Sequence, residues 1–158
     1  FMLSNIQNYF TLEMIYLWIN YGVLPFWVIL IFFPNLKINQ ILVTSIFLPI
    51  IFSCLYSYIV YQLIFNGENI FNSFELYLGL NQLYELFSNE IFLLIFWIHF
   101  LSISLFMGIW VAKDSIKYNI PKFLTGLCLI VVYFSGPVGL VIYWFIRIFF
   151  AKKITLYD

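Results

Sequence analysis

The chain has one histidine, His99, and it falls near the middle of an apolar run at residues 91–112. An ionisable side chain at that depth in hydrocarbon is costly and usually marks a site. On a helix, steps of three, seven and eleven return to one face, so His99 is accompanied by Ser102, Phe106 and Trp110, with Trp97 nearby. An imidazole framed by aromatic walls has three functional options: general acid or base, axial ligand to a tetrapyrrole metal, or hydrogen-bond donor to a polar ligand group. It can equally bond a carbonyl or hydroxyl on a neighbouring helix and act as interhelical glue. A second feature is Ser135-Gly136-Pro137-Val138-Gly139, inside the last apolar run. Pro137 cannot donate to the carbonyl of Tyr133, and Gly136 and Gly139 leave backbone open to a close neighbour. Such a break either lines a binding site or is a packing kink, and the sequence leaves both open.

Ser104 and Gly108 form a small-x-x-x-small pair opposite His99, the spacing that lets two membrane helices approach closely. Cys54 and Cys128 lie apart in apolar runs, where a thiol behaves as a small hydrophobe, and they build no zinc or disulfide framework. Neither a Gly-rich phosphate loop nor a Cys/His metal cluster is present, and Asp114 is expected at a membrane edge.

The elements that carry these residues follow from composition. Of 158 residues, 65% are hydrophobic and 9% charged, against about 25% charged in an average soluble chain. Seven Lys/Arg and seven Asp/Glu cannot cover a folded body of this size in water, so membrane lipid is the expected surroundings. Zero net charge removes the electrostatic basis for nucleic-acid binding, which needs clustered Lys and Arg. The 20 Phe, 12 Tyr and 5 Trp suggest a pigment pocket at first sight. AT-rich coding inflates Phe, Ile, Asn, Tyr and Lys together, however, so only individual aromatic positions argue for a site.

A spanning helix needs about 20 apolar residues, because the hydrocarbon core is roughly 30 Å thick. Four runs reach that length, giving an all-α, polytopic membrane domain with helices over about 12–33, 41–65, 91–112 and 123–150. The first eleven residues hold no Lys or Arg, so the first run is expected to stay as an anchor rather than act as a secretory signal. Pro25 and Pro49 are expected to kink the first two helices. Between the second and third, Leu76, Leu80, Leu83 and Phe87 recur at helical spacing and Asn72 and Glu75 have capping-box spacing. An interfacial helix over about 73–87 follows.

Four crossings put Lys37, Lys113, Lys117 and Lys122 on one side, and Arg147, Lys152 and Lys153 on the other with the five glutamates. That is a weak positive-inside bias. Re-entry of the fourth run at Ser135–Gly139 would bring all seven positives to one side, but its limbs would be too short to span and its turn would need polar partners. The expectation is four crossings.

Taken in order, Leu24-Pro25-Phe26-Trp27, Pro34, Trp97-Ile98-His99-Phe100-Leu101, Leu105-Phe106-Met107-Gly108-Ile109-Trp110, Ala112, Asp114, Ile120-Pro121 and Gly136-Pro137-Val138-Gly139-Leu140 resemble the abscisic-acid-deficient-four-like family. The resemblance runs from about Leu24 to Arg147. It implies a small polytopic protein of a bacterial inner membrane or a thylakoid or plastid membrane, associated in plants with neoxanthin synthesis. The associated conversion turns a carotenoid epoxide into an allenic alcohol, and it needs an acid at the epoxide oxygen and a base for a C–H proton. His99 is then the first catalytic candidate, with Trp97, Ser102, Phe106, Trp110, Gly136, Pro137 and Gly139 as ligand-contacting residues and a carotenoid as the implied ligand. The family usually carries an Asp five residues after the His and an Arg between the Gly and Trp of that block. Here those places hold Ser104 and Ile109. Loss of both charges together is the pattern expected of a pair. It raises a second reading, a non-catalytic pigment- or lipid-contacting subunit of a larger photosynthetic or respiratory membrane complex.

Overall fold

The computed structural model describes residues 11–37, 41, 47–65 and 77–155. The elements among them are all helices: α1 Leu12–Phe32, α2 Phe47–Phe65, α3 Leu80–Phe87, α4 Glu90–Lys117, α5 Lys122–Ser135 and α6 Pro137–Ala151. Of these, α1 and α4 are long and apolar enough to cross a membrane, while the described part of α2 and the whole of α5 and α6 are shorter apolar helices. The chain divides into two compact units, Phe1–Gly22 with Pro49–Phe100 and Val23–Leu48 with Leu101–Asp158.

In the first unit, Trp97 Nε1 donates to Asn20 Oδ1 at 3.2 Å, tying α4 to α1, and Asn20 Nδ2 donates to the Tyr16 carbonyl one turn back. Of the interfacial helix expected over about 73–87, residues 77–87 are described, and the α-helix among them is α3, which begins only at Leu80. It buries none of its residues, and Phe87 turns its ring edge toward Phe96 at 4.7 Å. Asn72, Glu75 and Leu76 lie outside the described residues. Asn89 starts α4 as its N-cap: its Oδ1 accepts from the amides of Ile91 and Phe92 at 2.9 and 3.1 Å, satisfying two of the donors every helix start leaves open.

The second unit departs from expectation at two points. First, α4 does not stop at Ala112 but continues to Lys117, so Asp114 and Ser115 are helical and buried. The stop comes at Asn119, in the left-handed region at φ 53°. The Ile120 amide reaches back to the Ser115 carbonyl at 2.9 Å and the Asn119 amide to Ile116 at 3.3 Å. These are the paired bonds of a Schellman ending, and Pro121 then rules out continuation.

Second, the run expected as one crossing over 123–150 is two helices. Gly136 takes φ 46°, Pro137 opens α6 at its first turn, and α5 and α6 pack against each other. A straight helix from Lys122 would carry position 147 about 37 Å away. Instead, Arg147 Nη2 donates to Tyr118 Oη at 3.3 Å, four residues before α5 begins. The chain has turned back on itself. Gly139 makes the reversal possible, since a methyl group there would collide with the backbone nitrogen of Val132. Elsewhere in this unit α1 and α4 touch at Gly108, where an added methyl carbon would lie 2.6 Å from Trp27 Cη2 and 3.1 Å from Leu30 Cδ2. Ser104, one turn earlier, is 1% exposed and its hydroxyl has no partner among the described residues.

Candidate functional site

The outward side of α4 carries part of the expected site. His99 is exposed, Ser102 is half-buried and Phe106 is 68% exposed, while Ile98, Leu101, Ser104, Leu105 and Gly108 fill the packed side. No hydrogen bond or ion pair engages the imidazole among the described residues. Trp97, its neighbour in sequence, turns to Asn20 instead and stacks with Phe100 at 5.4 Å. Gly136, Pro137 and Gly139 come together as one feature, the reversal between α5 and α6, and each is engaged in that turn: φ at Gly136, the first helical position at Pro137, close backbone approach at Gly139.

Trp110 leads to a group that the residue pattern did not single out. Its ring meets Tyr143 edge-on at 5.6 Å. Tyr143 Oη donates to Asp114 Oδ2 at 2.7 Å, and Arg147 Nε donates to the same oxygen at 2.7 Å. The guanidinium is fully buried. Its Nη1 donates to the carbonyls of Lys153 and Thr155, at 3.4 and 3.1 Å. Its central carbon lies over the rings of Tyr118 and Trp144, at 4.8 and 5.3 Å from their centroids. A charge in so closed a place is tolerated only when paired and hydrogen-bonded, and here both conditions hold. Asp114, Tyr143 and Arg147 are 29 and 33 positions apart along the chain, and only the return of α6 along α5 brings them together. The one signal in the sequence is an arginine embedded in Tyr143-Trp144-Phe145-Ile146-Arg147-Ile148-Phe149-Phe150, where a lone charge calls for a partner.

The two sets differ in chemical capacity. In the Asp114 cluster the carboxylate oxygen is taken twice and the guanidinium by several acceptors, which suits a fixed structural joint more than proton transfer. On the outward side of α4 an imidazole stands ready to donate or accept. No group of three or more His, Cys, Asp or Glu placed to hold a metal ion occurs among the described residues.

No curated protein and no solved structure matches the sequence. It does match the family profile described as ABA DEFICIENT 4-like, over residues 14–143. That span takes in α1, α2, α4, the whole α5–α6 reversal and the Asp114–Tyr143 contact, and the chain belongs to the ABA DEFICIENT 4-like family.

Proposed function

We propose that this chain is a carotenoid-related integral membrane protein whose outward α4 side, from His99 past Ser102 to Phe106, lies along a polyene ligand. Family membership supports the ligand class. The observation that carries the location is His99 itself: an exposed imidazole in the third turn of a 28-residue apolar helix, unpartnered within the described chain. In hydrocarbon such a group needs a hydrogen-bond partner, and an oxygen at the polar end or epoxide of a carotenoid provides one while the polyene covers Phe106. Within this reading the role is binding. Opening an epoxide needs an acid and a base, and His99 is the one ionisable residue between Glu90 and Lys113.

The membrane arrangement proposed with it has three crossings, α1, α2 and α4, with α5 and α6 as a re-entrant pair in place of a fourth crossing. Helices of 14 and 15 residues rise about 21–22 Å, short of a core of roughly 30 Å. All seven Lys and Arg residues then share one side, as the positive-inside rule favours. Single cysteines at Lys37, Lys122 and Lys153, in a Cys54→Ser/Cys128→Ala background, test this by labelling with an impermeant maleimide. One-sided labelling of all three is expected, and labelling of position 153 from the opposite side restores four crossings.

Purification in mild detergent, followed by an absorption spectrum, tests the ligand. Polyene bands on the isolated chain, lost in His99→Ala with the fold kept, are expected. Stoichiometric recovery inside a multi-subunit complex, with pigment retained by His99→Ala, favours the accessory-subunit reading, in which His99 meets a partner helix.

A further inference from the structure

A cleft of ≈ 280 Å³ opens in the second unit where the end of α1 meets the α4–α5 turn. Its walls divide by chemistry. Lys122, Asn119 and Asn35 supply an ammonium and two amides, with Ile31 and Ile120 supplying apolar surface. Among the described residues, no hydrogen bond or ion pair engages the side chains of Lys122, Asn119 or Asn35. Asn119, one of the lining residues, takes the left-handed conformation that ends α4. The first turn of α5 begins beside it without a side-chain cap.

The surrounding charge is one-sided. All seven Lys and Arg residues belong to this unit, against Asp114 and Asp158, while the five glutamates lie between positions 13 and 90 in the other. Asp114 is already committed to Arg147. Within the unit the basic positions gather at one end. Lys113 and Lys117 close α4, Lys122 opens α5, and Lys152 and Lys153 follow α6, whose last turns return to Tyr118. That end is where apolar helices give way to polar residues, the depth of lipid headgroups.

We propose that this cleft is a headgroup site for an anionic phospholipid. The phosphodiester would sit between the Lys122 ammonium and the Asn119 and Asn35 amides, with the glycerol and first acyl carbons on Ile31 and Ile120. A zwitterionic headgroup fits worse, because its own cation would meet an end already rich in lysine. The proposal rests on membrane placement of the chain and is independent of any carotenoid.

Native mass spectrometry of the full chain, released from detergent micelles doped with equal phosphatidylglycerol and phosphatidylcholine, tests it. One retained phosphatidylglycerol per chain is expected. Lys122→Gln should lower that adduct about fivefold, the factor one lysine contributes beside an anionic lipid. Asn119→Gly, which keeps the left-handed backbone while removing the amide, should lower it as well. Lys113→Gln, which removes the same charge from a residue that does not line the cleft, should change it less than about twofold, since a charge without direct contact is screened. Equal retention of the two lipids by the unaltered chain, or equal losses in Lys122→Gln and Lys113→Gln, overturns the proposal. Displacement of the adduct by excess inorganic phosphate would show a bare phosphate site and overturn the lipid assignment, whereas retention supports it.

Discussion

Removal of the Asp114 carboxylate should loosen the α4–α6 joint of the second unit. Asp114→Ala deletes two short bonds at once, the 2.7 Å contacts from Arg147 Nε and Tyr143 Oη. It leaves a guanidinium with no exposed surface. Stranding one member of a buried pair costs about 3–5 kcal/mol. Arg147 keeps its donations to two carbonyls and to Tyr118 Oη, and its stacking on two rings, so the lower end, about 3 kcal/mol, is expected. Arg147→Met should cost a similar amount by stranding the carboxylate. The double variant removes both charges, and its loss should fall short of the two single losses added together by about 2 kcal/mol, a coupling within the range for residues in direct contact. Reversible unfolding of the full chain in mixed micelles of mild and denaturing detergent, followed by tryptophan fluorescence, gives all four corners of the cycle. If Asp114→Ala unfolds within about 0.5 kcal/mol of the parent, or if the two single losses simply add, the bonds do not couple the helices and the argument fails.

Gly139→Ala should be worse than an ordinary small-to-large change, about 3 kcal/mol or more, because the obstacle is the fixed backbone of Val132 rather than a movable side chain; a stability equal to the parent in the same unfolding assay contradicts the reversal. Gly108→Ala should cost about 1–3 kcal/mol by pressing on the Trp27 ring, and Trp27→Leu in the same chain should recover part of that loss, with no recovery meaning that α1 does not approach there. Asn20→Leu removes the acceptor of Trp97 Nε1–H; a loss under about 1 kcal/mol is expected, in line with interhelical bonds in membranes, together with a blue shift of the Trp97 emission measured against a Trp97→Phe reference, and an unshifted emission refutes the bond.

The all-helical character was legible because it follows from apolar run length, which needs no knowledge of contacts. The start of α4 was legible to within a residue from the apolar run alone, whereas the Asn89 cap and the ending at Asn119-Ile120-Pro121 are local chemistry that run length does not mark. The five helical residues beyond Ala112 were not legible, since Lys113-Asp114-Ser115-Ile116-Lys117 reads as polar edge until Asp114 has a partner. For the candidate site, the sequence isolates His99 and groups it with Ser102 and Phe106, and helical periodicity is enough for that. It gives no sign that Trp97, two residues away, turns to Asn20, because the partner is 77 positions distant.

The reversal at Gly136 shows where local reading ends and long-range pairing takes over. A Gly-Pro step in a helix produces anything from a modest kink to a full turn, and a run of 28 apolar residues is long enough to cross once if straight. Straight, it would carry Arg147, the chain's one arginine, to the far side of the membrane from Asp114. Each charge would then sit at a membrane edge without the other. Turned back, it completes a pair with a tyrosine bond on the same oxygen and two ring faces against the guanidinium. The glycines permit the turn; the pairing of Asp114 with Arg147, thirty-three residues apart, favours it. The same return sets Lys152 and Lys153 at the end that carries Lys113, Lys117 and Lys122. One buried ion pair thereby links the bend in the fold to the one-sided charge that the proposed headgroup cleft depends on.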